Sequence, residues 1–121
     1  MITERERIDA EAQALVYSQQ VFAGAKLAAS ITVKDELGEA VLAVVNQEGC
    51  SAITEVEDGW ATILIYKYDF VLLLYEEMRA RQSSGPPSLL DVWSTGKLFG
   101  YSDYEISQYL HDHGFVDSVS M

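Results

Sequence analysis

Apolar residues recur every seven positions at Ile8, Leu15, Phe22 and Ala29, with Ala12, Val16 and Ala25 beside them, a spacing that predicts an amphipathic helix. Thr3 followed three residues later by Glu6 is a capping box, so this helix starts at Glu4, and the pattern carries it to about Ala28. Its alanine content permits close approach of a second helix, within the fold or across a dimer. Gly24 falls inside the span, where glycine costs about 1 kcal/mol relative to alanine.

From Thr32 to Glu48 the pattern is ambiguous. Val33, Leu37, Val41, Leu42, Val44 and Val45 fit a helix capped by Thr32 or by Lys34-Asp35, yet the β-branched density from Val41 to Val45 also suits a strand. A helix to about Val45 is the favoured reading, followed by a turn over Asn46-Gln47-Glu48-Gly49. Alternation then sets in. Ala52, Thr54 and Val56 interleave with Ile53, Glu55 and Glu57, Asp58-Gly59 is a type I′ turn pair, and Trp60 to Tyr66 is rich in strand formers. A two-stranded hairpin is marginal in water, so helices must cover it or another strand, from this chain or a second subunit, must extend it.

Asp69 reads as the N-cap of a helix from Phe70 to about Gln82, with Val71, Leu74, Tyr75 and Met78 on one face and Glu76, Glu77, Arg79 and Arg81 on the other. Ser83-Ser84-Gly85-Pro86-Pro87 breaks it. Ser88 with Asp91, and Ser102 with Glu105, then open two further helices that stop at Gly100 and Gly114. The expected fold class is α+β: a mostly helical single domain over residues 1–121 with one central β-hairpin, in the order α-α-β-β-α-α-α.

Composition narrows what such a fold could do. The chain has 121 residues, 49% of them hydrophobic, which is enough for a core without staples. Its 19 acidic against 8 basic residues give a net charge of −11. Scattered basic residues argue against a nucleic-acid partner and against an anionic membrane. No apolar run exceeds six residues, the length of Phe70 to Tyr75, far short of a bilayer span. A single cysteine and a charged N-terminus in place of an apolar signal segment lead to the expectation of a cytoplasmic protein.

Catalytic patterns are scarce. His111 and His113 stand two apart, about 200° around a helix, so they cannot share a metal there, and the last-turn dipole accounts for them. Cys50 has no base or second cysteine nearby, and its acidic neighbours Glu48 and Glu55 disfavour a thiolate; it reads as a small filler at a strand start. Gly96-Lys97 lacks the rest of a phosphate-binding loop. The capped Ser-x-x-Glu-Ile stretch, Ser102 to Ile106, is similar to the first helix of a helix-turn-helix. Only seven residues follow Gly114, however, and no basic residue follows Lys97, so DNA binding is rejected. No cofactor and no metal site is expected.

The hairpin tip carries the most suggestive chemistry. Glu55, Glu57 and Asp58 lie beside Trp60, an arrangement suited to a basic cleft with the indole as anchor, and Glu76 and Glu77 add charge on a helix face. The leading expectation is a non-catalytic protein-binding module, of the inhibitor or immunity-protein kind, that neutralises a partner with a basic surface. A structural or regulatory homodimer built on the N-terminal helix is the alternative. A small enzyme using carboxylates or the two histidines comes third.

Overall fold

The computed structural model describes residues 1–83 and 85–116. Ser84, in the expected breaker, and the last five residues lie outside that description. The fold is α+β, with helices α1 (Glu4–Phe22), α2 (Gly38–Gln47), α3 (Asp69–Gln82), α4 (Leu89–Leu98) and α5 (Asp103–Asp112), and strands β1 (Ala28–Lys34), β2 (Ser51–Glu57) and β3 (Trp60–Tyr66). A 3₁₀ turn, Asp35–Leu37, joins β1 to α2. The chain divides into two compact units, Met1–Val71 and the residues from Leu72 onward.

In the first unit the three strands form an antiparallel sheet in the order β1-β3-β2. The hairpin and its turn are as expected: Asp58 and Gly59 have φ of 52° and 82°, the two positive values that a type I′ turn requires. The strand that extends the hairpin comes from the same chain. β1 occupies residues given above to the end of the first helix and the start of the second, so Thr32 to Gln47 is strand, 3₁₀ turn and helix in succession. The signal was present as a period of two, Ala29, Ile31 and Val33 against Ser30, Thr32 and Lys34, but the heptad count absorbed Ala29 as a fourth helical position. α1 stops six residues earlier than expected because Gly24, at φ 85°, sits just past the helix rather than inside it. There the Ala25 N–H returns to the Gln20 carbonyl and the Gly24 N–H to that of Val21, a Schellman closure.

α1 and α2 cover one face of the sheet. Ala29, Ile31 and Val33 of β1 and Ala61, Ile63 and Ile65 of β3 pack against Ala10, Ala14 and Val21 of α1 and Val41 and Val45 of α2. The inner face of α1 therefore differs from the expected one. Ala10, Ala14, Ser18 and Val21 are buried, while Ile8, Leu15 and Phe22 are 55%, 39% and 50% exposed. Small side chains let the helix axis approach the sheet closely, and the larger heptad residues, about 120° round the helix from that face, are left outside.

Gly49 closes α2 in the same way, with the Cys50 N–H donating to the Val45 carbonyl and φ at 83°. A Cβ there would lie 2.9 Å from the Phe22 ring, so the position also needs the missing side chain.

In the second unit the capping boxes at Ser88–Asp91 and Ser102–Glu105 both form. α4 and α5 touch where Gly96 faces Ile106: a Cβ on Gly96 would lie 2.7 Å from Ile106 Cγ1. Arg81 of α3 donates to Asp91 of α4 at 2.8 Å, and Lys97 pairs with Asp103.

Candidate functional site

The sheet face turned away from α1 and α2 is polar at its hairpin-turn end. Residues paired across antiparallel strands point to the same side, so the register sets Lys34, Trp60 and Glu57 in one row and Thr32, Thr62 and Glu55 in the next. Thr32 and Thr62 link hydroxyls at 3.3 Å. Trp60 is 50% exposed, so half of the indole is available to a partner. The Asp35 N–H donates to the Gly59 carbonyl at 2.9 Å, which ties the 3₁₀ turn, with its acidic residues Asp35 and Glu36, to the hairpin turn at Asp58.

Of the residues singled out in the sequence, Glu55, Glu57, Asp58 and Trp60 meet at this end of the sheet. Glu76 and Glu77 belong to α3, in the other unit. Lys34, Thr32, Thr62 and Asp35 were missed, because all but Thr62 sit on or just after the unrecognised strand.

Lys34 tempers the acidity of the patch. Its ammonium meets the Glu6 carboxylate at 2.7 Å, and that hydrogen bond, with the Thr3 N–H of the capping box after it, holds the Glu6 carboxyl below its ordinary range. The same contact raises the Lys34 pKa. Lys34 is thus balanced by Glu6, and Glu57 and Asp58 stand beside Trp60 with Asp35 at the adjoining turn.

The remaining candidates are accounted for by structure. Cys50 is buried, its thiol donates to the Ser18 carbonyl at 3.4 Å, and burial raises its pKa, against Lys67, which lowers it. That environment favours the unreactive thiol. His113 stacks on Tyr109 with ring centroids 3.9 Å apart and places Nδ1 2.9 Å from the Tyr109 carbonyl, while His111 contacts Asp112 at 3.4 Å. Among the described residues no three His, Cys, Asp or Glu side chains are grouped to hold a metal, and no helix is long and apolar enough to cross a membrane.

A cavity of about 650 Å³ in the second unit is lined by Val92, Gly96, Tyr101, Ile106 and Tyr109, among others. Two of its polar neighbours are engaged: Thr95 donates to the Asp91 carbonyl, and Glu105 accepts the Ser102 N–H in the cap of α5. The wall is chiefly apolar and aromatic.

Comparison of the chain with protein-family models, curated proteins and solved structures finds no match.

Proposed function

We propose that this protein is a non-catalytic binding module whose docking surface is the hairpin-turn end of the sheet face turned away from α1 and α2, and that its partner is a protein presenting a basic surface. One observation carries the reading: Trp60 stands half exposed in a row with Glu57, next to Glu55 and close to the Asp58 and Asp35 turns. A rigid, half-exposed aromatic ringed by like charge is the composition of an interface anchor, since tryptophan dominates interface energetics and complementary charge speeds encounter. The antiparallel sheet beneath holds the indole and both glutamates in fixed register, which limits the ordering cost of binding. The net charge of −11 extends the same sign over the molecule and adds long-range steering.

The test is affinity capture from the source cell with three baits: the wild-type chain, Trp60→Ala, and a Glu55→Lys, Glu57→Lys double variant. Support is one basic protein retained by the wild type and lost from both variants. With that protein purified, association should slow by roughly 10- to 100-fold between 50 and 500 mM salt, and Trp60→Ala should weaken binding by about 30-fold. A partner retained equally by all three baits, or a salt-insensitive association rate, would overturn the reading.

A further inference from the structure

α1 has two apolar faces, and its own unit uses one. The second, Ile8, Leu15 and Phe22, lies within about 40° of arc along the helix and is 55%, 39% and 50% exposed. We propose that this stripe pairs with the same stripe on a second copy of the chain, the two helices running antiparallel with Leu15 on the two-fold axis.

Spacing makes the stripe self-complementary. Ile8 and Phe22 are each seven residues from Leu15, so antiparallel pairing centred on Leu15 sets Leu15 against its own copy and Ile8 against Phe22 of the second copy. This is an isologous contact, which closes as a dimer.

Charge selects the direction. Glu4 and Glu11 lie four residues before and three after Ile8, on one flank of it. Arg7 joins them at 2.8 and 3.6 Å and leaves the trio one charge negative. At the other end, Lys67 holds its ammonium 4.1 Å from the Phe22 ring centroid and 3.2 Å from the Phe22 carbonyl oxygen. Antiparallel pairing sets the acidic flank of Ile8 level with Lys67 beside the second copy's Phe22, and does so twice. Parallel pairing would instead oppose acid to acid and lysine to lysine. The helix dipoles favour the same choice. A single seam between helices about 28 Å long falls below the area of a standard stable interface, so the association is reversible, with a Kd on the order of 10–100 μM.

Sedimentation equilibrium of the full chain from 5 to 500 μM tests this. The mass should rise from 13.5 kDa toward twice that value across the range. Leu15→Glu should weaken self-association at least tenfold with an unchanged circular dichroism melt, because Leu15 is outside the core of the monomer. Leu73→Glu, at a still more exposed leucine on α3, should leave self-association as it is. Glu4→Lys and Lys67→Glu should each weaken the dimer, and the two together should restore it.

A chain that stays at 13.5 kDa throughout overturns the proposal, as does a dimer broken by Leu73→Glu and not by Leu15→Glu. Failure of the charge exchange to restore association overturns the antiparallel arrangement. Leu15-dependent capture of a foreign protein by a chain that remains monomeric would give the stripe to another occupant. The hairpin variants of the preceding test leave this stripe untouched, so either proposal can fail alone.

Discussion

Met1–Val71 buries a continuous apolar layer between one sheet face and two helices, whereas the helices after Leu72 bury only Leu98, Ile106 and Leu110 among the described residues. The second unit relies on its helix ends. α4 and α5 each begin with a capping box and end with a Schellman closure, Tyr101 N–H to Gly96 and Phe115 N–H to Leu110, and an Arg81–Asp91 ion pair joins α3 to α4. Such local devices contribute about 1 kcal/mol apiece, against 2–5 kcal/mol for a well-packed aliphatic side chain. The two regions therefore draw stability from different sources, and the region with the smaller core carries the denser signals for starting and stopping helices.

Each unit holds one tryptophan, Trp60 in the first and Trp93 in the second, so Trp→Phe variants let fluorescence follow the two separately. The largest effect is expected from Ile63→Ala, at a fully buried site in the central strand. It should cost about 3 kcal/mol in the urea transition followed by Trp60, and a cost below 1 kcal/mol would contradict a core centred on that strand. Gly96→Val should cost about 2 kcal/mol in the Trp93 transition, because the new side chain meets Ile106, and Ile106→Ala should recover part of the loss. If Gly96→Val moves the Trp60 transition as far, the two units unfold as one.

A third substitution should stabilise. The Ser18 hydroxyl is fully buried without a hydrogen-bond partner, so Ser18→Ala should gain about 1 kcal/mol, and a loss would mean that the hydroxyl is satisfied after all. The smallest effect concerns the Glu6–Lys34 pair. The depressed Glu6 pKa adds stability above the ordinary carboxylate range that is lost as pH falls through the folded value. The raised Lys34 pKa adds stability below the ordinary lysine range that is lost as pH rises through the folded value. Glu6→Gln should therefore lower the melting temperature slightly between about pH 5 and pH 10 and leave it unchanged near pH 2. A deficit that persists in acid would assign the effect to the capping box instead.

Sequence legibility divided by the range of the contacts that fix each element. All three capping boxes, the type I′ turn and the stops at Gly100 and Gly114 were readable, because each depends on residues within a few positions of one another. β1 and the inner face of α1 were not. Their assignment depends on which surface the sheet offers, and at close approach Ala10, Ala14 and Ser18 win over the larger heptad residues that periodicity favours. The candidate site divided likewise: Glu55, Glu57, Asp58 and Trp60 are neighbours in the hairpin, whereas Thr32, Lys34 and Asp35 arrive through a pairing some thirty residues away in the chain.

The strand order β1-β3-β2 has a consequence for synthesis. The middle strand is the last of the three in the chain, so a nascent polypeptide releases β1, α2 and β2 before the segment that joins both edges exists outside the ribosome. Until Trp60–Tyr66 emerges, Ala28–Lys34 and Ser51–Glu57 are two strands without a shared partner. At translation speeds of about 5–20 residues per second that interval lasts seconds, long compared with the roughly microsecond closure of a hairpin. A pause in synthesis while Trp60–Tyr66 is still inside the exit tunnel would prolong the open state, and one that falls after Val71 has emerged would give the sheet time to close before the later helices emerge.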